Sequence, residues 1–154
     1  IRISKRKYNE TSNITLKVTN ILTINIKPGW KEGTKITFNN AGDELRGRPP
    51  QDIVFVIKEK KHSLYKREKN NIKIKIDITL KEALCGCSKH IKMLNGENLR
   101  IDIKNIIQPN MVKLITGRGM PIKKGGFGNL ILVFYVKFPN SLSEKQKKNL
   151  SEFL

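Results

Sequence analysis

The side chains in this chain that could do covalent or metal chemistry are few, and their spacing argues against both. Cys85 and Cys87 stand in Cys-Gly-Cys, with no second Cys/His pair elsewhere. A structural metal site draws on two or more such pairs with two or more residues inside each. A disulfide across a single residue would be strained, so the pair reads as small buried thiols of a reducing compartment. His62 and His90 lie in the unrelated contexts KKHSLY and SKHIKM and read as surface or edge residues. The carboxylates are scattered. KKGGFGN (residues 123–129) carries glycines but lacks the Lys-Ser/Thr ending and strand-to-helix setting of a phosphate loop. It reads as a hairpin tip. Acid, base, nucleophile and metal ligands do not converge, and the chain reads as a non-enzyme that needs no metal or cofactor.

The elements that would position any other function alternate with period two. IRIS, LTINIK, TKITF, DIVFVIK, NIKIKIDI, LRIDIK, VKLIT and NLILVFYVKF place Ile, Val, Leu or Phe on every second position or run apolar throughout. Thr79 followed three residues on by Glu82 is a capping box for a short helix over TLKEAL. SLSEKQKKNLSEFL reads as a longer terminal helix, capped by Ser141 or Ser143. Its Leu142, Leu150, Phe153 and Leu154 could share one stripe, which a lone helix would leave exposed and a partner would bury. Pro28-Gly29 suits a tight turn and is expected to join two strands into a hairpin, with Trp30 packed at its edge.

The formal charge of +18 over 154 residues favours acidic partners. The abundance of Lys, Asn and Ile is also what an AT-rich genome would supply, so part of the excess is solvated filler. Base-stacking platforms need exposed aromatics, but aromatics make up 6% and sit mostly in apolar runs. Nucleic acid is therefore not expected as a partner, and a basic β-scaffold that binds nucleic acid or an anionic surface is the alternative reading. No apolar run reaches the length of a membrane span.

The chain repeats itself. Leu22, Ile24 and Ile26 match Leu99, Ile101 and Ile103 at an offset of 77 (99 − 22), as do Gly42 and Gly119, and DIVFVI and NLILVF. GTKITF parallels MVKLIT at 78 (113 − 35). Two similar domains are expected over residues 1–70 and 71–139, joined near Lys66–Asn71, with a helix over 140–154. If IRIS corresponds to IKML, an opening strand and turn before Ile1 are expected upstream.

TINIKPGWKEGTKITF, AGDE, DIVFVIKEKKHSLYKRE, ITLKEALCGCSKHIKMLNGENLRI, IIQPNMVKLITGRGMPI and GNLILVFYVKFP, in that order, resemble the C-terminal region of DnaJ-type (J-domain) co-chaperones. Without a Cys-rich zinc-finger insertion the chain is similar to the class B (type II) subfamily. It departs from the family at EKNN before the second half, in the variable stretch between Ser4 and Thr19, where no site is expected, and in the short GGFGN loop.

The resemblance implies an all-β fold of two tandem β-sandwich-like domains with short helical turns, then a C-terminal dimerisation helix carrying Leu142, Leu150, Phe153 and Leu154. It implies capture of non-native client polypeptides and of the acidic C-terminal tail of 70-kDa heat-shock chaperones. It implies a homodimer in the cytoplasm, with export into a host cell open if the source is an intracellular parasite. Mapped by motif, the peptide groove falls on the first domain. Ile1 and Ile3 would be its walls, Phe55 its aromatic, and Arg2 and Lys5 its basic flank, pointing opposite to Ile1 and Ile3. On pattern alone Ile1, Ile3 and Phe55 read as ordinary core.

Overall fold

The structure is a computed structural model and describes residues 1–153. The fold is mainly β, in several small sheets with two short helices. Two compact units emerge. One comprises Ile1–Lys61 and Met120–Gly126, and the other comprises His62–Gly119 and the chain from Phe127 onward.

In the first unit, β1 (Arg2–Asn9) and β2 (Ile14–Ile21) form an antiparallel hairpin, and β3 (Lys35–Phe38) pairs antiparallel with β4 (Ile53–Val56). The Pro28-Gly29 turn is present: Gly29 has φ of 81°, and a side chain there would run into the Pro121 carbonyl. The two strands expected to meet across it do not pair, because β2 pairs with β1 and β3 with β4. Alternation reports which face of a strand is apolar, not which strand lies beside it. The stretch Ser4–Thr19, read as variable, supplies most of the β1–β2 hairpin. Asn9 Oδ1 closes its turn by accepting from the Thr11 and Ser12 amides at 2.9 and 3.3 Å, with Asn13 at a positive φ.

In the second unit, β5 (Tyr65–Glu68), β6 (Asn71–Thr79), β9 (Val112–Ile115) and β10 (Leu130–Lys137) form one sheet in the order β5-β6-β10-β9, with β6 and β10 parallel. β7 (Cys87–Lys92) and β8 (Asn98–Ile103) form a separate hairpin. The polar run near 66–71 is therefore a hairpin rather than a linker, with Lys69 at φ 58° in its turn. NIKIKIDI behaves as its pattern demands: Ile72, Ile74 and Ile78 are buried, beside Leu130, Leu132 and Val136 of β10. Each such side chain contributes about 1.5–3 kcal/mol on burial.

The repeat extends to single hydrogen bonds. Gly42 N donates to Gln51 O at 2.7 Å, and Gly119 N to Gly128 O at 2.8 Å. Ile57 N donates to Thr34 O at 2.9 Å, and Phe134 N to Met111 O at 3.0 Å. The β3–β4 register also maps onto β9–β10 at 77 (112 − 35), so the offset of 78 suggested by GTKITF and MVKLIT closes to 77.

α1 (Leu80–Cys85) begins at the expected capping box. The Glu82 amide donates to Thr79 Oγ1 at 3.2 Å, and the Thr79 amide to Glu82 Oε2 at 2.8 Å. Lys89 Nζ lies 2.7 Å from Glu82 Oε1. Hydrogen bonding from Lys89, followed by that from the Thr79 amide, holds the Glu82 carboxyl down at about 2. The stabilisation this implies is complete above the ordinary carboxylate range and is lost as pH falls from about 4.5 towards 2. With the side chain about a third exposed, solvent screening reduces it to about 1 kcal/mol. In urea titrations, wild-type stability should fall through that window, and Glu82→Gln should flatten this part of the pH profile. An unchanged profile would contradict the assignment.

Candidate functional site

Of the residues first weighed for chemistry, His62 has a structural role. His62 Nδ1 accepts from the Leu64 and Tyr65 amides at 3.1 and 3.2 Å, and its ring packs 5.4 Å from that of Tyr65. His90 is exposed on β7 opposite Arg100. Cys85 is exposed and Cys87 half-buried, both as free thiols. Burial, then the Glu82 carboxylate, pushes the Cys87 thiol up, away from a reactive thiolate. No group of three or more His, Cys, Asp and Glu among the described residues could hold a metal.

The first strand is a different matter. Ile1 and Leu22 exchange both main-chain bonds, Ile1 N to Leu22 O at 2.7 Å and Leu22 N to Ile1 O at 2.8 Å. In an antiparallel pair such bonded pairs alternate, so Ile3, Lys5 and Lys7 also face β2 with their backbone groups. The N–H and C=O of Arg2, Ser4, Arg6 and Tyr8 then point to the opposite margin. Arg2 and Ser4 have no main-chain partner there among the described residues.

Further along, the margin is occupied. Glu44 N donates to Arg6 O at 2.8 Å, and Tyr8 N donates to Glu44 O at 3.0 Å, making a short parallel bridge. Arg6 N donates to Asp43 Oδ1 at 2.7 Å, and the Arg6 guanidinium contacts Asp43 Oδ2 through Nε and through a terminal nitrogen, each at 2.8 Å. Those bonds, the Arg6 amide's first, hold the Asp43 carboxyl below its usual range, with Lys5 adding a smaller field. Arg46 lies over the Tyr8 ring at 5.9 Å.

Strand parity places Ile1, Ile3 and Lys5 on one face of β1, and Arg2, Ser4 and Arg6 on the other. Lys5 thus shares the Ile1/Ile3 face, contrary to the expectation that it points with Arg2. Ile1 is 57% exposed, Ile3 and Lys5 are half-buried, and Arg2 is exposed. Phe55 lies on β4, opposite Ile36, half-buried and edge-on to Phe38 with ring centroids 5.7 Å apart. No ladder, hydrogen bond or ring contact joins Phe55 to β1 among the described residues. The structure therefore gathers Ile1, Ile3 and Lys5 on one strand and leaves Phe55 on a separate sheet. Asp43 and Glu44 were missed by the sequence reading although AGDE was in view: Asp43 meets Arg6 37 residues away and Glu44 bonds Arg6 and Tyr8, and no local pattern signals that.

The terminal helix, α2 (Glu144–Phe153), starts at Ser143, whose Oγ accepts from the Gln146 amide at 3.3 Å. Leu150 reaches an apolar pocket with Leu80, Leu84, Phe138 and Pro139. Leu84, Phe138 and Leu150 remain 40%, 65% and 36% exposed. Leu142 is half-buried and does not line that pocket. Leu154 and the Phe153 side chain lie outside the described residues.

Comparison with known proteins accounts for this arrangement. Residues 2–139 match the DnaJ C terminal domain. The chain is 42% identical to DnaJ protein homolog 1 of Drosophila melanogaster, a match covering 93% of this chain and 44% of that protein. It is 38% identical to human DnaJ homolog subfamily B member 5 over 100% of this chain and 45% of the relative. It is also 38% identical to Protein SIS1 of Saccharomyces cerevisiae over 85% of this chain and 38% of the relative. The chain thus spans less than half the length of each of these relatives. It belongs to the DnaJ C-terminal domain family.

Proposed function

We propose that this chain is the substrate-binding and dimerising region of a class B J-domain co-chaperone. It captures extended segments of non-native polypeptides and the acidic C-terminal tail of a 70-kDa heat-shock chaperone, in the cytoplasm. The observation that carries this reading is the unpaired margin of β1 at Arg2 and Ser4, bordered by Ile1, Ile3 and Lys5. An extended chain added there gains main-chain hydrogen bonds with little demand on sequence. Alternate apolar side chains seated against Ile1 and Ile3 contribute about 1.5–3 kcal/mol each before ordering costs. Arg2 and Lys5 favour an acidic partner, weakly and in a salt-sensitive way. The role needs no catalytic group, cofactor or metal.

Binding of a synthetic peptide with acidic residues around one aliphatic residue should be measured against a random single-stranded oligonucleotide across a salt series. The peptide should bind, and Ile3→Ser and Phe55→Ala should each weaken it by about fivefold or more. Selective oligonucleotide binding would favour the basic-scaffold alternative. An unchanged affinity in Phe55→Ala would remove Phe55 from the groove.

Homodimerisation is proposed through α2 and the pocket formed by Leu80, Leu84 and Phe138, where exposed apolar side chains cluster. In sedimentation velocity, Leu84→Asp and Leu150→Asp should shift the chain towards monomer. A monomeric wild type at about 100 μM, well above the dissociation constant of a stable dimer, would contradict this proposal.

A further inference from the structure

The acceptor margin of β1 is occupied partway along by the chain itself. From Arg6 onward, Asp43 and Glu44 hold the place that an added strand would take. The Asp43 carboxylate takes the Arg6 amide, Glu44 N donates to Arg6 O, and Glu44 O accepts from Tyr8 N. The segment is rooted at its far side, where Gly42 N donates to Gln51 O at 2.7 Å and Gln51 N to Asp43 O at 3.0 Å. It is acidic and extended, and it lies beside Lys5, Arg6 and Lys7. In chemistry and geometry it resembles the peptide proposed for the open part of the margin.

We propose that Asp43 and Glu44 form a built-in stop that ends capture at the β1 margin at Arg6. The inference rests on the reading of that margin as the peptide site. An added chain that pairs with Arg2 and Ser4 meets Asp43 and Glu44 at the next outward-facing residue, Arg6. A client segment extended past Arg6 gains nothing there, because those donors and acceptors are already satisfied. In the second unit the β7–β8 hairpin turns at once, with Met93 N bonding Glu97 O, so no counterpart of Arg6 or Tyr8 is present to be stopped. The stop is therefore specific to the longer β1–β2 hairpin.

The test is a length series on the full 154-residue chain. A five-residue acidic peptide is compared with nine-residue versions extended by neutral Thr/Val residues at either end, so that added charge does not enter the ratio. In Asp43→Ala, which frees the Arg6 amide, one of the two extensions should improve affinity at least about fivefold more than it does in wild type. Glu44→Pro, which removes the N–H that holds Arg6 O, should do the same. Folded variants with the length dependence of wild type would overturn the stop. If the five-residue peptide fails on wild type, the peptide-site reading itself fails, which is a separate result.

Discussion

The structure turns on the parity of main-chain hydrogen bonds in one strand. Because Ile1 and Leu22 exchange both of their bonds, the backbone groups of every second residue of β1 are committed to β2, and those between them face the other way. Unpaired main-chain groups on a sheet margin attract another strand, and proteins normally cover them. Among the described residues they are covered only at Arg6 and Tyr8, by Glu44 and the Asp43 carboxylate. Arg2 and Ser4 stay open. The proposed peptide site and the point at which it stops both derive from that partial covering.

The two units share hydrogen bonds and strand register. Hydrogen bonds recur at an offset of 77 residues, and so does the β3–β4 register in β9–β10. The packing diverges. In the second unit, β10 lies between β6 and β9, and Leu130, Leu132 and Phe134 are sealed. In the first, β4 pairs with β3, and no counterpart of β6 lies within the described residues.

Much of this was legible in the sequence, and what was not has physical causes. NIKIKIDI declared its inner and outer faces because Ile72, Ile74 and Ile78 on one face are buried. The Thr79–Glu82 capping box was readable because all its partners lie within one helical turn. KRKYNETSNITLKV hid a hairpin, since most of its residues face solvent and no burial imposes alternation. YKRE hid an edge strand behind the charges that edge strands tend to carry. The Pro-Gly turn was readable, but its strand partners were not, because pairing is decided by residues far along the chain. The acidic clamp on Arg6 was invisible for the same reason. Lys5 was assigned to the wrong face although its parity with Ile3 was already in the sequence.

The central claim is that an added chain pairs with the β1 margin rather than with some other exposed strand. β9 provides an internal control, since it also ends its sheet and exposes Val112 and Leu114, 53% and 59% accessible. Amide hydrogen exchange, with and without a saturating acidic peptide, tests the claim most directly. The account predicts that the Arg2 and Ser4 amides slow by about tenfold or more on binding, while those of Val112 and Leu114 are unchanged. Protection at Val112 and Leu114 with none at Arg2 and Ser4 would contradict it.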